Sequence, residues 1–469
     1  MHIFSKRRLA AAVAAGAAAV TAGAGAGVAG AAPGGMTGPS SSDPPYLVRH
    51  VPGVTFTSVL TTGDSVGGYR MAGIPDGLGA FDNGDGTFTV LANHEIPAGE
   101  GVVRAHGAKG AFVSKWVIDK ETLKVLSGTD QIQRIFLPVS GQYVETPGVQ
   151  LSRLCSATLA DPSAFFNPAT GMGYDGRIFT DGEEISGGRA FGHVVATGDS
   201  YHLADLGTAN WENVVPNPAT GDKTVVAGLS DTGGGNIYVY AGTKKDTGNP
   251  VEKAGLTGGQ RYAISVPALP VEDGSVAVPT GPLPFTLSPT AGTGFDRPED
   301  GSWDPSHPND FYFVTTASMT KHSRLWRVRF TDVTDPTAGG TLQLMLEGPA
   351  TSDSGPKMMD NVTVNDRSQV IIQEDTGNNP YLAGVYQFDT TSGALRRIAD
   401  HDPDRFLPGG AYFDTVDEES SGVITAPFLG AGKYLLDVQN HLRVADPELV
   451  EKGQLLVMTV PPGQPFGDG

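Results

Sequence analysis

The stretch Lys115–Leu126, with the sequence KWVIDKETLKVL, carries the pattern that decides the fold. Apolar and polar residues alternate up to Asp119, a polar turn follows, and a second short strand begins. The pattern returns at Val385–Ile398, with the sequence VYQFDTTSGALRRI, and in a looser copy from Leu325 to Leu346. A repeated strand, turn and strand unit of this kind is typical of the blades of a β-propeller.

Apolar strands precede the repeated units, as at Phe311–Thr315 and Gln369–Gln373. The 64 Gly and 34 Pro residues interrupt the chain at short intervals, and long helical patterns are nearly absent. The sequence therefore predicts an all-β fold, a β-propeller with few short helices in its loops. We expect it to form a single domain over residues 46–469.

The amino end has a different character. Met1–Ala31 starts with basic residues and continues as Ala, Gly and Val without a charge, which is typical of a removable export signal. Ser5–Leu9 resembles a twin-arginine signal in part. Residues 32–45 are rich in Gly, Pro and Ser and are predicted to form a flexible leader. We expect a secreted protein without stable membrane insertion, since the Ala- and Gly-rich run is too weakly apolar for an anchor.

Charge and cysteine content narrow the function classes. The net charge of −19 argues against nucleic acid as a partner. It favours bound cations, because carboxylates gathered near an anion-binding site would repel the anion unless metal ions neutralise them. The single cysteine, Cys155, excludes an internal disulfide bond.

The segment Phe295–Pro305 combines a guanidinium with several carboxylates around Pro298. Arg297 offers a planar fork that binds phosphate or carboxylate, while Glu299 offers a hard oxygen ligand for calcium. The alternative is a solvated turn in which Arg297 pairs with Asp296 or Glu299.

Two other short segments carry candidate ligands. Leu91–Glu95 closes an apolar strand with Asn93 and Glu95, either as ligands or as a simple turn. Cys155 is either a buried small hydrophobe or a thiolate ligand suited to iron or zinc.

Further carboxylates stand at predicted strand ends. Glu183 and Glu184 follow an apolar strand, and both can serve one site only in a loop or at a bulge. An order of carboxylate, strand and second carboxylate then occurs twice, at the positions Glu212, Asp231, Asp360, Asn361, Glu374 and Asp375.

Taken in order, these residues resemble the PhoX-type alkaline phosphatases, exported propeller enzymes. The resemblance runs from about Asn93 to about Asp375 and rests on the order of the motifs. It implies a six-bladed propeller that holds iron and calcium ions. By this resemblance Cys155 and Glu212 ligate iron, and Arg297 and Asn93 contact phosphate. The residues implied as the other metal ligands are Glu183, Glu184, Asp231, Glu299, Glu374 and Asp375.

The sequence departs from the family pattern at two places. Ser156, Ala157 and Thr158 follow the cysteine, where the family usually has a Gly-rich stretch. Glu212 follows Trp211, where the family usually has His. These departures leave the fold and metal binding as expectations and put catalytic competence in question.

The resemblance implies a secreted, calcium- and iron-dependent phosphomonoesterase that acts on a small phosphate ester as a monomer. One alternative is a calcium-dependent propeller hydrolase of the lactonase or phytase-like type, which needs carboxylates but no thiolate. The other is a secreted binding propeller whose acidic loops hold structural calcium and which turns nothing over.

Overall fold

The strand, turn and strand copies found in the sequence are the outer strands of propeller blades. The computed structural model describes residues 35–463. Lys115–Leu126 falls in the paired strands Phe112–Asp119 and Val125–Asp130. Val385–Ile398 falls in Gly384–Asp389 and Leu395–His401, which pair in the same way. The predicted all-β propeller is confirmed.

Six antiparallel sheets of four strands form the blades within the described residues. Their strands, from innermost to outermost, are Pro75–Asp82, Thr87–His94, Phe112–Asp119 and Val125–Asp130 in blade 1; Leu154–Thr158, Ile178–Glu183, Gly188–Val194 and Asp199–His202 in blade 2; Trp211–Pro216, Lys223–Ser230, Ile237–Thr243 and Gln260–Ser265 in blade 3; Pro298–Trp303, Asp310–Thr315, Arg324–Phe330 and Gly340–Glu347 in blade 4; Met359–Val364, Gln369–Glu374, Gly384–Asp389 and Leu395–His401 in blade 5; Glu418–Thr425, Lys433–Asn440, Lys452–Thr459 and Thr55–Thr61 in blade 6.

Blade 6 closes the ring by joining the two ends of the chain. Its outermost strand, Thr55–Thr61, pairs antiparallel with Lys452–Thr459, and Thr55 lies opposite Thr459. Gly35–Thr37 then adds a parallel strand, in which Met36 lies opposite Thr57. The segment from Gly35 onward is therefore hydrogen-bonded to blade 6, which differs from the flexible leader expected from its composition.

Shorter elements link or extend the blades. Leu283–Ser288 pairs with the outermost strands of blades 3 and 4 and joins them into one nine-stranded sheet. The other short strands are Leu47–Arg49, Ser65–Val66, Tyr69–Arg70, Arg134–Val139, Gln142–Glu145, Phe166–Asn167, Met172–Gly173, Thr208–Ala209, Gly233–Gly235 and Phe295–Asp296. The helices are Pro250–Lys253 and Pro403–Phe406, with 3₁₀ turns at Pro162–Ala164, Ala204–Leu206, Pro336–Ala338 and Pro427–Leu429. These few short helices lie in loops, as predicted.

The apolar core lies between neighbouring blades. Between blades 3 and 4, Trp303, Phe313 and Trp326 pack with Val225 and Leu229. Because each blade is covered on both faces, its strands are apolar on both sides. Residues 35–463 fall within one compact unit. Among them, no helix has the length and apolarity that crossing a membrane requires. The predicted export signal, residues 1–31, and the first three residues of the predicted leader lie outside the described residues.

The innermost strands line a central channel. Each contacts the innermost strand of the next blade, and blade 6 contacts blade 1. In every one, the pairing with the second strand shifts register near the same end. A bulge adds one residue to a strand, so that two successive residues can face one side. This feature of the six blades shapes the candidate site.

Candidate metal centre

The first residue of each bulge forms what we call the upper ring. Its members are Asp76, Cys155, Glu212, Glu299, Asp360 and Ser421, from blades 1 to 6 in that order. The five acidic or thiol members are all at least nine-tenths buried. One blade position, repeated around the channel, thus concentrates metal-ligating groups from five blades.

In each blade, one residue of the second strand pairs with the innermost-strand residue just before the bulge. The residue that follows it in the second strand belongs to what we call the outer ring. Its members are Glu95, Glu184, Asp231, Thr316, Asp375 and Gln439. Gln439 donates from Nε2 to Glu95 Oε2 at 3.0 Å and to Asp76 Oδ2 at 3.2 Å. The two rings are therefore in direct contact at the closing blade.

Three groups of side chains in these rings bring their ligand atoms within 4.8 Å of one another. The groups are Asp76, Glu95 and Cys155; Cys155, Glu184 and Glu212; and Glu212, Glu299 and Asp360. Since Cys155 and Glu212 each belong to two groups, the three form one continuous series. A thiol at the centre of a run of carboxylates offers both a soft ligand and hard oxygen ligands.

The electrostatics of the cluster favour added cations. Burial raises the pKa of Glu184 and of Glu212 to about 8, and neighbouring carboxylates add to both shifts. Burial likewise raises the pKa of Glu95 to about 7, against the opposing charge of Arg153. Burial and the Asp76 carboxylate hold the pKa of the Cys155 thiol well above its usual range. Negative charge on these groups thus requires nearby positive charge.

Two buried oxygen atoms support the fit of metal ions to these residues. Asp76 Oδ1 and Glu212 Oε2 have no hydrogen-bond partner, although both side chains are almost fully buried. Buried polar atoms of this kind are normally satisfied, and a bound ion would satisfy them here. The donor set and the unpartnered oxygens together fit a metal centre.

Two arginines lie at the mouth of the cluster. Arg297 donates from Nε and Nη2 to both oxygens of Asp231, at 3.0 and 2.9 Å, and from Nη2 to Glu299 at 2.7 Å. Arg153 pairs with Glu95 at 2.7 Å and also with Glu184. Their side chains are 31 % and 44 % exposed, so both guanidiniums reach solvent above buried carboxylates.

A third cation lies beside blade 6. His441 Nε2 is 3.5 Å from Glu419 Oε2, and its Nδ1 is 2.7 Å from Glu451. Burial works against its charge, but these two carboxylates raise the pKa of His441 to about 11. Glu419 also forms a β-bridge with Asp375, which places this pair at the rim of the cluster.

Most of the ligands expected from the sequence meet in this centre. Cys155, Glu184, Glu212 and Glu299 lie in the three groups, and Asp231 is held by Arg297. Asp375 lies half-buried in the outer ring, where desolvation of its carboxyl and then the Glu419 carboxylate raise its pKa to about 7.

Asn93, expected to contact phosphate, is fully buried in the second strand of blade 1. It donates from Nδ2 to the Cys155 carbonyl at 2.7 Å, while its Oδ1 has no partner. In this structure Asn93 therefore fixes the backbone of Cys155 and so helps to position the thiol within the cluster.

Two expected ligands do not join the cluster, and their assignment needs correction. Glu183 is paired with Arg189 through both oxygens, at 2.6 and 2.9 Å. Glu374 accepts hydrogen bonds from the backbone N–H groups of Lys357 and of Gly384, the latter at 2.7 Å. Each precedes an outer-ring carboxylate by one residue, and neighbouring side chains in a strand face opposite ways.

The sequence reasoning missed Asp76, Arg153 and Glu419 and gave Asp360 no role as a ligand. Asp76 lies in a Pro-Asp-Gly sequence that is typical of a turn. Their positions in the sequence could have identified Asp76 and Asp360 as ligands. Like Glu299, each lies at the start of an apolar strand.

A Ser-His-Asp set occurs in blade 2, away from the rings. His193 Nε2 is 2.8 Å from Asp181 Oδ1, and its Nδ1 is 2.6 Å from Ser200 Oγ. All three side chains are 0 % exposed. A nucleophile without access to solvent cannot meet a substrate, so this set joins three strands of the blade and has no place in catalysis.

A cavity of about 660 Å³ lies at the opposite end of the channel. It is lined by residues at the far ends of innermost strands, among them Ala80, Val215, Trp303, Val364 and Thr425. Its lining includes Asp161, Asp300 and Asp304 but no basic side chain. An anionic ligand would therefore be favoured at the arginine end and disfavoured here.

Comparison with known proteins gives structural likeness without sequence support. No family model and no curated protein matches the sequence. The structure resembles PhoX of Pseudomonas fluorescens in complex with vanadate, with a TM-score of 0.56 and 12 % identity over 87 % of this chain and 95 % of that one. It also matches Chaetomium thermophilum Sqt1, with a TM-score of 0.40, 10 % identity and coverage of 86 % and 99 %. A third match is the propeller domain of the Trilobed protease of Pyrococcus furiosus, with a TM-score of 0.34, 8 % identity and coverage of 85 % and 99 %. The likeness to PhoX supports a PhoX-like propeller fold.

Proposed function

We propose that the protein is a secreted, metal-dependent phosphomonoesterase whose reaction takes place at the arginine end of the channel. One observation carries the proposal. Cys155 and Glu212 link the three ligand groups into one series, and Arg153 and Arg297 lie at its mouth. The PhoX structure, which has the same fold and contains the transition-state analogue vanadate, supports this choice of reaction.

The residues divide into two kinds by what they can hold. Cys155 and Glu212 would hold iron, because a thiolate is a soft ligand. The remaining carboxylates would hold calcium, and they are Asp76, Glu95, Glu184, Asp231, Glu299, Asp360 and Asp375. Bound ions of this kind neutralise phosphate charge and supply an oxygen nucleophile at neutral pH.

The protein's own contribution at the mouth is positioning and charge. Asp231 and Glu299 hold Arg297 through its Nε and Nη2 atoms, so that the Nη1 group is fixed in direction as the donor for a ligand. A preorganised donor of this kind stabilises charge that develops on phosphoryl oxygens. Glu212 and Glu299 are only 1 % and 2 % exposed, so bulk water has little access to the upper ring beneath the two arginines.

The test pairs metal analysis with turnover of a generic phosphomonoester. Wild-type protein purified with iron and calcium present should contain both ions and hydrolyse the ester. Cys155→Ser should lose the iron and its visible charge-transfer band while circular dichroism stays that of a folded propeller.

The outcomes separate the proposal from its alternatives. Colourless protein that binds calcium and hydrolyses other substrates would favour a calcium-dependent propeller hydrolase. Protein that binds calcium and hydrolyses nothing would favour a binding propeller. Full turnover by Cys155→Ser would contradict the role given to the thiol.

A further inference from the structure

The second residue of each bulge forms a lower ring, directly beneath the upper ring. Its members are Gly77, Ser156, Asn213, Asp300, Asn361 and Gly422. Asn213 donates from Nδ2 to Asp300 Oδ1 at 2.6 Å, and the Val362 N–H donates to Asp300 Oδ2 at 3.1 Å. The lower ring is thus a layer of hydrogen-bonded polar groups that joins different blades.

One hydrogen bond of this layer crosses the channel. Asn361 donates from Nδ2 to Ser156 Oγ at 2.6 Å. Ser156 belongs to blade 2 and Asn361 to blade 5, which lie opposite each other in a ring of six. The bond therefore spans the channel axis and separates the upper ring from the cavity below, which begins at Asn213 and Asp300.

The same hydroxyl also contacts a candidate ligand. Ser156 donates from Oγ to Glu212 Oε1 at 2.6 Å. A serine hydroxyl has a single hydrogen, and Asn361 already donates to its oxygen, so that hydrogen is directed to Glu212. One oxygen of Glu212 is thereby fixed, and the other, Oε2, has no partner and is free to ligate.

From this geometry we propose that Ser156 is a positioning residue, which orients Glu212, the carboxylate shared by two ligand groups, toward a bound ion and is itself oriented by Asn361. The inference rests on the metal-centre part of the proposed function and does not depend on the reaction. It gives a role to the residue at which the sequence departs from the Gly-rich pattern. Partners behind a ligating carboxylate commonly change metal affinity tenfold to a hundredfold.

The test measures ion retention in the full chain. Protein loaded with calcium and iron is dialysed against rising chelator concentrations, and ions per chain are counted. Ser156→Ala should release its ions at a chelator concentration about tenfold to a hundredfold lower than the wild type does, with unchanged circular dichroism. Ser156→Thr, which keeps the hydroxyl, should recover most of the retention.

Ser302→Ala is the matched control. Ser302 lies on the innermost strand of blade 4, lines the lower cavity and accepts a hydrogen bond from the Val364 N–H at 3.3 Å. The Ser302→Ala substitution removes a hydroxyl from the same channel without changing any upper-ring contact, so ion retention should equal that of the wild type.

Unchanged retention in Ser156→Ala would overturn the inference, as would an equal loss in Ser302→Ala. If Ser156→Ala does not fold, Asn361→Ala tests the same bond from the other side and should also weaken retention; unchanged retention there would overturn the inference. Wild-type protein that binds neither ion would overturn both the metal centre and this role. If it binds ions but hydrolyses no phosphomonoester, only the proposed function fails.

Discussion

Arg153 and Arg297 hold an unusual backbone conformation, with φ values of 48° and 60°. Ile74 and Met358 have the same left-handed conformation at the same place, two residues before Asp76 and Asp360. Such conformations cost about 1–3 kcal/mol for residues other than glycine and are retained where the surrounding structure requires them. Since an isoleucine and a methionine share it, this backbone belongs to the start of the bulged strand. The role of the arginines therefore lies in their side chains.

Arg297 and Glu299 should fail in different ways, because one faces the substrate and the other holds an ion. Arg297→Ala should keep its metal content and lose about 3 kcal/mol of transition-state stabilisation, or roughly a hundredfold in kcat. Glu299→Gln should first lose bound calcium, and added calcium should restore part of its activity. Metal analysis followed by steady-state kinetics on one phosphomonoester distinguishes the two.

Arg329→Ala provides the control for the arginine variant. Arg329 pairs through Nε with Asp310 at 2.6 Å on the outer part of blade 4, away from both rings. Its loss should leave kcat unchanged. Full turnover by Arg297→Ala would show that the channel mouth does not bind the phosphoryl group.

At the scale of the element, blade 2 is held by its buried Ser200, His193 and Asp181. Ser200→Ala should lower the free energy of unfolding by about 1–3 kcal/mol, because the buried His193 Nδ1 loses its partner. Its kcat should match that of the wild type. Denaturant unfolding and kinetics on the same preparation provide the measurement. A large fall in kcat with unchanged stability would instead make this set catalytic.

The blade repeat explains why the sequence predicts the propeller fold but not the number of blades. Alternating residues in Lys115–Leu126 reflect burial between neighbouring blades, a local pattern that survives divergence. The blade count was hidden because the connections differ greatly in length. Residues 266–297 link blades 3 and 4 with an added strand, whereas the much shorter stretch 203–210 links blades 2 and 3.

The same repeat explains the errors at the site. Cys155 was found as the only thiol, Glu212 as a carboxylate that precedes a strand with a second carboxylate after it, and Glu299 as one of the carboxylates beside Arg297. Glu183 and Glu374 were assigned together with their neighbours Glu184 and Asp375, but the register of the strand pairing turns only the second carboxylate of each pair toward the channel. Register shifts of this kind depend on pairing with a distant strand and leave no local signal.

At the scale of the whole molecule, the amino end sets where the mature chain begins. Cleavage near Ala32, a prediction that lies outside the described residues, would leave Gly35–Thr37 intact to pair with blade 6. Amino-terminal sequencing of protein from the culture fluid should therefore give a start near Ala32. An intact Met1 in the secreted material would contradict the signal peptide, and a start beyond Thr37 would contradict the added strand.

The metal centre joins most of the ring. Its upper-ring ligands come from blades 1 to 5, and Gln439 of blade 6 contacts two of the ligands directly. Bound cations would thus tie the blades together, whereas the same carboxylates without cations would repel one another. Ions that bind only the folded protein stabilise it by mass action.

This balance predicts that one substitution changes stability in opposite directions under two conditions. Glu212→Gln removes a carboxylate that shares two ligand groups with Cys155, Glu184, Glu299 and Asp360. With calcium and iron bound, the variant should melt below the wild type, because an ion loses a ligand. In excess chelator it should melt above the wild type, because the amide avoids the cost of burying Glu212, whose pKa is raised by burial to about 8; the wild type itself should lose about 1–3 kcal/mol of stability on chelation. Calorimetric melting of both proteins with ions and with chelator measures the crossing. A wild-type melting curve that does not change with chelator, or a variant that melts lower in both conditions, would mean that these carboxylates are not held together by metal ions.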